Sequence, residues 1–398
     1  MYWVSESGSV YSEGFEIMTQ RKIPAAFYRG GTSKGVFFHA EDLPSAGPDR
    51  DAVLLAVTGS PDAYGKQIDG MGGATSSTSK VVLISKSQRP DCDVDYLFGH
   101  VDIERPVIDW SGNCGNLVSA VGPYAIEEGM VPAVEGHTTV RIWQVNLGER
   151  IVARVPVKNG APEVSGNYRL DGVTQPGAEI VIEYLDAGGG ANPLPTGRVV
   201  DTLELPGVGK IEATLVNAGN ATIFVRAADL GLSGTELQPE VNGNPALLAK
   251  FEAIRAAGAV AMGLAASAAE ATAKRPATPK ISFVAPPADY TTSSGAHVAA
   301  GDIDCLARVV SMGKLHHAFT GTGSVSVAVA AAIPGSIVNQ AVGRVPAHHA
   351  TQTRMGHLSG SMAVGAVLSE NAQGFKVEKA VMSRTARRLM SGWVHVPA

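Results

Sequence analysis

Two apolar segments, one in each half of the chain and each entered through a glycine-rich loop, constrain the fold most. The first, Leu117 to Glu128, follows Trp110-Ser-Gly-Asn-Cys-Gly-Asn116; the second, Ser324 to Ile333, follows Thr320-Gly-Thr-Gly323. Both read as helices, as do Pro245–Ala273 and Ile303–Met312. Short or alternating apolar runs mark strands at Val36–Phe38, Val81–Ile84, Val140–Val145, Ile151–Val157, Ile180–Tyr184, Ala213–Val216, Ile223–Val225 and Ile281–Val284. Many strands with one Gly-headed apolar helix per half fit an α+β architecture in which each sheet wraps a central helix. A chain of 398 residues exceeds one ordinary core, so about two domains are expected. The expected linker is Asp186 to Gly197, whose Gly and Pro content breaks any regular element.

The first of these loops also carries a thiol. The first turn of a helix presents unpaired N–H groups and a positive dipole end, which favour a thiolate and hold carboxylates. Cys114 is therefore a candidate acid or base beside an anion site, although a lone Cys in a tight turn is usually a small apolar residue. A second loop, Gly70-Met-Gly-Gly-Ala-Thr-Ser-Ser-Thr-Ser-Lys80, runs into Val81-Val-Leu-Ile84. Lys80 thus stands at the edge of a buried run, where a desolvated amine loses proton affinity and can act as a base. The bland alternative is a solvated Lys after a Gly-rich turn. Arg29-Gly-Gly-Thr-Ser-Lys-Gly35 repeats the style before Val36-Phe-Phe38.

Several other chemistries fail against the same residues. Gly59 to Gln67 has one residue too many between its glycines for a phosphate loop, and Gln67 follows Lys66 where Ser or Thr should coordinate magnesium. No Gly-x-Gly-x-x-Gly opens a helix in a convincing βαβ context. His316-His317 and His348-His349 are adjacent pairs whose members should point apart, so a metal centre is not expected. Lys314, His316 and Arg354 are instead candidates to lend positive charge to a polycarboxylate. With a net charge of −5 there is no basic field for nucleic acid or anionic membrane, so a small anion has to be held by local donors. Three scattered cysteines, Cys92, Cys114 and Cys305, argue against a disulfide framework and for the cytoplasm, and Cys305 reads as a helix-face core residue. The start Met1-Tyr-Trp-Val-Ser lacks a secretory pattern, and the Ala-rich run 256–269 is too short to span a bilayer.

Taken together, these motifs resemble the PrpF family of 2-methylaconitate isomerases, within the diaminopimelate-epimerase-like superfamily. The likeness runs through Arg29–Phe38, Gly65–Lys80, Asp91–Gly99, Asp109–Asn116, Ser311-Met-Gly-Lys-Leu-His-His317 and Gly356-His-Leu-Ser-Gly360. It implies two pseudo-symmetric domains, each a mixed sheet around a central helix, with the site in the cleft between them. These are 23–187 and 188–374, with 375–398 returning to the first and 1–22 a flexible extension.

The activity implied is a cofactor-independent conversion of trans-2-methylaconitate to the cis isomer in the 2-methylcitrate route of propionate breakdown. Lys80 and Cys114 match the family's acid/base pair, neutral Lys80 removing a carbon-bound proton to leave a dienolate. Ser33, Ser79, Asn113, Gly115, Asn116, Met312, Gly321 and Thr322 are carried over as carboxylate-binding residues. The epimerase branch sets two cysteines face to face, whereas the loop Thr320–Gly323 has none, which argues against a two-thiol racemase. Arg198 and Ala221 stand where the family pattern has Asn and Pro, so substrate identity is less fixed than reaction type. Oxalomesaconate tautomerase and methylitaconate isomerase are the alternatives of the same fold. A helper of an aconitase-like iron–sulfur enzyme is the non-enzymatic one, though three scattered cysteines cannot hold a cluster. The partners implied are a small tricarboxylate and a functional link to an aconitase-like dehydratase; a homodimer stays open.

Overall fold

The computed structural model describes residues 20–397 apart from 186, 189, 206–208 and 345–349. In the first half the strands are β1 (Arg21–Gly30), β2 (Ser33–His39), β3 (Lys80–Lys86), β4 (Val94–Val101), β5 (Gly136–Gln144), β6 (Glu149–Lys158) and β7 (Ile180–Leu185). Helix α1 (Pro48–Thr58) lies between β2 and β3, and α2 (Val118–Glu127) between β4 and β5. The second half has β8 (Gly209–Ala218), β9 (Asn220–Arg226), β10 (Lys280–Ala285), β11 (Cys305–Ser311), β12 (Ala350–His357), β13 (Gly360–Asn371) and β14 (Gly374–Arg384). Helices α3 (Pro245–Ala261) and α4 (Ala268–Lys274) precede β10, α5 (Gly321–Ala332) precedes β12, and β15 (Ala386–Val396) ends the chain.

Pairing shows that the two halves are the same fold. From β1 to β7 neighbouring strands run antiparallel, parallel, antiparallel, parallel, antiparallel, antiparallel. From β8 to β14 the order repeats. Helix α2 packs inside the first set and α5 inside the second, which is the expected α+β, epimerase-like architecture. The halves join where β14 pairs with β7, and β15 returns to pair with β1 from Arg21↔Val396 to Gly30↔Ala386.

The runs that open on Lys80 and Lys280 are apolar on both faces because both faces are covered. Val82 and Ile84 of β3 pack into the core around α2, while Val81 and Leu83 pack with Leu54 and Val57 of α1. In β10, Val284 joins the core around α5, whereas Ile281 and Phe283 pack with Phe251 and Ile254 of α3. Side chains alternate across a strand, so Lys80 and Lys280 share the faces that carry the central helices. Every described residue of α5, and of α2 except Glu127, is buried.

Three expectations are corrected. The run Ile303–Met312 contains the strand β11 (Cys305–Ser311) and not a helix, since a short apolar run buried on both sides carries no period to separate the two. Cys305 is accordingly a strand residue in the core. The helix expected over Pro245–Ala273 is broken after Ala261, where Gly263 adopts φ +70 and Ser267 caps α4 through the Glu270 N–H. The extension expected over 1–22 lies outside the described residues except at its end, where Arg21 and Lys22 already pair with Val396 and His395. No described helix is long and apolar enough to cross a membrane.

At the outer end of α2, Arg388 of β15 donates from Nε to the Tyr28 hydroxyl at 2.8 Å and pairs with Glu127 and Glu128 at 2.6 and 2.5 Å. These groups are half-buried, between ordinary surface and core pairs. Arg388→Ala is expected to destabilise by about 1–2 kcal/mol, intermediate between exposed and buried pairs, read as a lower urea midpoint.

Candidate active site

Lys80 begins β3 and is 5 % exposed. Its Nζ donates to Ser33 Oγ at 3.0 Å and to Cys114 Sγ at 3.4 Å, although Lys80 and Cys114 are 34 residues apart in the chain. Cys114 stands just before α2, and its Sγ also accepts the Leu117 N–H at 3.4 Å, so the sulfur closes the first turn of the helix. Its carbonyl accepts from Val118 N and Tyr96 OH, which holds the loop against β4.

The N-terminus of α5 meets that of α2 head to head. A methyl group placed on Gly115 would collide with Thr322 N and approach Gly321 C to 2.6 Å and Tyr184 OH to 2.8 Å. One placed on Gly321 would collide with Gly115 C and approach Asn116 N to 2.7 Å. Two positive helix ends therefore converge on one small space lined by Lys80, His100, Asn113, Cys114, Thr278, Lys280, Ser311, Thr320 and Thr322.

Buried polar groups are normally satisfied, and here several are not. Both amide atoms of Asn113, His100 Nε2 and Thr320 Oγ1 find no hydrogen-bond partner among the described residues. Burial, then the charges of Lys80 and Lys280, push the His100 imidazole well below its ordinary pKa, so it stands neutral across the physiological range. Burial and the Lys80 charge lower Lys280 to about 8. Asp109 lies in the same region, with its carboxylate accepting from Ser111 N at 2.8 Å and Ala277 N at 2.9 Å.

The residues singled out from sequence do not all reach this space. Asn113, Gly115, Asn116, Gly321 and Thr322 line it. Ser33 and Met312 line the outer cleft instead, Met312 at φ +54 in the turn after β11. Ser79 is fully buried with its hydroxyl donated to Gln67 Oε1 at 2.7 Å. The Asn116 side chain is engaged by Thr32, Phe319 O and the buried Arg384, so it offers backbone rather than amide to a ligand.

Lys314 and His316 also line the outer cleft, whereas Arg354 is paired with Asp304 at 3.1 Å. His316 and His317 sit in a loop and stack at 4.7 Å rather than pointing apart. No cluster of three or more His, Cys, Asp or Glu suited to a metal occurs among the described residues, and His348-His349 lie outside them. Arg198 is paired with Asp201, and neither it nor Ala221 lines the inner space. Sequence reasoning missed His100, one residue past the Asp91–Gly99 motif, and Lys280, which opens Ile281–Val284 as Lys80 opens Val81–Ile84.

The inner pocket has a volume of only about 10 Å³. That is room for one water, far below a small-molecule site, so a ligand reaches Lys80 and Cys114 only if the two halves part. Beside it the outer cleft holds about 1100 Å³, and Ser311 lines both. Arg29, Lys34, Lys314 and Arg387 stand around that cleft and outnumber its acidic residues, Glu104 and the Arg105-paired Asp102, giving a field that draws in anions despite the negative net charge.

The family model described as PrpF protein matches residues 20–397. The chain belongs to the PrpF family. The 2-methyl-aconitate isomerases of Shewanella oneidensis and Cupriavidus necator are each 54 % identical over 391 residues, covering 95 % of this chain and 98 % of theirs. Among solved structures, a methylitaconate-delta-isomerase superposes with TM-score 0.73 at 42 % identity, covering 95 % of this chain and 96 % of its own. A hydroxyproline epimerase from Agrobacterium vitis shares the fold at TM-score 0.54 and 12 % identity, covering 95 % and 94 %. This PrpF-family chain therefore keeps the epimerase-like frame, with Lys80 and Cys114 meeting in the first half.

Proposed function

We propose that this protein is a cytoplasmic isomerase that interconverts trans- and cis-2-methylaconitate without a cofactor. The contact between Lys80 Nζ and Cys114 Sγ, in a pocket closed by two helix N-termini, carries this reading. Its PrpF-family relatives named for that reaction support the substrate. Lys80 in its amine form takes a proton from the methylene carbon between the alkene and a carboxylate. The electron pair left behind spreads through the former double bond into the carboxylate across it. That bond, now single in character, rotates, and a proton returned to the carbon by Lys80 or by Cys114 Sγ gives the other isomer. When the thiol returns the proton, the one held on Lys80 Nζ passes to the Cys114 sulfur across their 3.4 Å contact, so both groups regain their starting forms and atoms and charge balance over the cycle.

The dienolate gains negative charge where water is excluded. Helix N–H groups aimed there, the Asn113 amide and the Thr320 hydroxyl are fixed donors that need no reorganisation. Free buried cysteines match a reducing compartment.

Proton NMR of the purified protein with trans-2-methylaconitate in deuterium oxide tests the reading. The cis isomer is expected to accumulate with deuterium at the methylene carbon. An inert protein would overturn the substrate assignment, and conversion with no deuterium in product or recovered substrate would overturn the proton transfer.

A further inference from the structure

Proton transfer between Lys80, Cys114 and carbon leaves a second buried lysine without a task. Lys280 opens β10 as Lys80 opens β3, and the two strands are flanked alike: β3 by parallel β2 and antiparallel β4, β10 by parallel β9 and antiparallel β11. The lysines occupy equivalent places in the two halves, 5 % and 4 % exposed, and both line the inner pocket.

Lys280 Nζ donates to Ala277 O at 2.9 Å and Ser311 Oγ at 3.1 Å, and an ammonium has three hydrogens to place. The ionisable groups whose charge it senses or alters are Lys80 of β3, His100 of β4, Asp109, Cys114 before α2, Arg255 of α3 and His316. Asp109, the one carboxylate among them, is occupied by Ser111 and Ala277, and Lys280 forms no ion pair within 4 Å among the described residues. A buried ammonium with no carboxylate paired to it is costly to fold around. An apolar residue would fill the same place more cheaply, which marks the position as held for a ligand.

We propose that Lys280 is a substrate-binding residue, the second-half counterpart of Lys80, whose ammonium holds a carboxylate of the polycarboxylate substrate and takes up charge as the dienolate forms. This deepens the isomerase reading and rests on it for the dienolate, though not for the anion.

A binding measurement separates the two. The probe is tricarballylate, a saturated tricarboxylate that cannot isomerise, titrated calorimetrically at pH 8.5 in buffers of different ionisation enthalpy. Free Lys280, at about 8, is mostly unprotonated there. A bound carboxylate raises its proton affinity, so binding should draw in about half a proton or more. Lys280→Met should abolish this uptake and weaken binding about 10-fold or more, as loss of a charge-assisted contact does. Lys280→Arg should restore binding without the uptake, because a guanidinium does not titrate there. Lys80→Met removes a charge that helps lower Lys280, so its uptake should move to higher pH rather than vanish. Unchanged uptake in Lys280→Met, or uptake missing from Lys80→Met at higher pH as well, overturns the assignment. A structural lysine would move thermal stability but not the proton count, and the Arg variant preserves the test if Lys280→Met folds poorly. Because the probe is never turned over, Lys280-dependent uptake by a protein inert to 2-methylaconitate would uphold this site and reject only the isomerase substrate.

Discussion

Lys80→Met is expected to lower kcat by about 10³-fold or more, the range seen when a positioned general base is removed. Its Nζ is the basic atom within hydrogen-bond distance of Cys114 Sγ, and Ser33 Oγ holds it there at 3.0 Å. Met keeps the length and bulk of the side chain, whose Nζ lies 6.0 Å from the centre of the Phe98 ring, so the β3 edge stays filled. Stability should therefore hold while turnover collapses. Lys80→Arg should fail as well, since a guanidinium cannot give up its proton to act as base. Cys114→Ala is expected to do less damage than Lys80→Met if the same lysine both takes and returns the proton, and equal damage if the thiol is the returning acid. Steady-state rates beside a thermal melt for each variant decide it. Full turnover by Lys80→Met would sink the mechanism.

Much of this frame was legible in the residues, and the reasons for the rest are physical. The central helices were readable because α2 and α5 are long apolar runs behind Gly-rich loops. The strands β3 and β10 were readable because each is a short apolar run edged by lysine. Ile303–Met312 was misread because a strand buried on both faces has neither a helical nor an alternating period. The contact of Lys80 with Cys114 has no local signal at all, since it depends on β3 and α2 meeting in space, and only resemblance to a family suggested it. Lys280 had the same local signature as Lys80, but weighing it required seeing that the two halves repeat, which shows in strand pairing and not in residue identity. Asn116 and Ser79 lie in the right motifs, yet Arg384 and Gln67 occupy their polar groups. Such partners come from distant sequence and cannot be read from a loop.

Gly115→Ala and Gly321→Ala are expected to be nearly as harmful as losing the base, although neither glycine carries a reactive atom. At both positions the obstacle is backbone of the opposite helix terminus, Thr322 N and Gly321 C against Gly115, and Gly115 C and Asn116 N against Gly321. Backbone cannot swing aside as a side chain can, so relief requires the ends of α2 and α5 to separate. The methyl group then costs about 1–3 kcal/mol of stability by overpacking. The larger effect falls on catalysis. An inner pocket of about 10 Å³ lies at this contact, and in the proposed reaction its closure aims both helix ends at the substrate and keeps water from the dienolate. A displacement of about 1 Å at such a site costs on the order of 100-fold in rate. The loss should appear in kcat more than in KM, because the outer cleft with Lys34, Lys314 and Arg387 still gathers the anion. Gly301→Ala is the matched control, with no atom within 4 Å of the added carbon, and should change neither rate nor melting. If Gly115→Ala and Gly321→Ala turned over as fast as Gly301→Ala, tight apposition of the two helix ends would have no part in the chemistry.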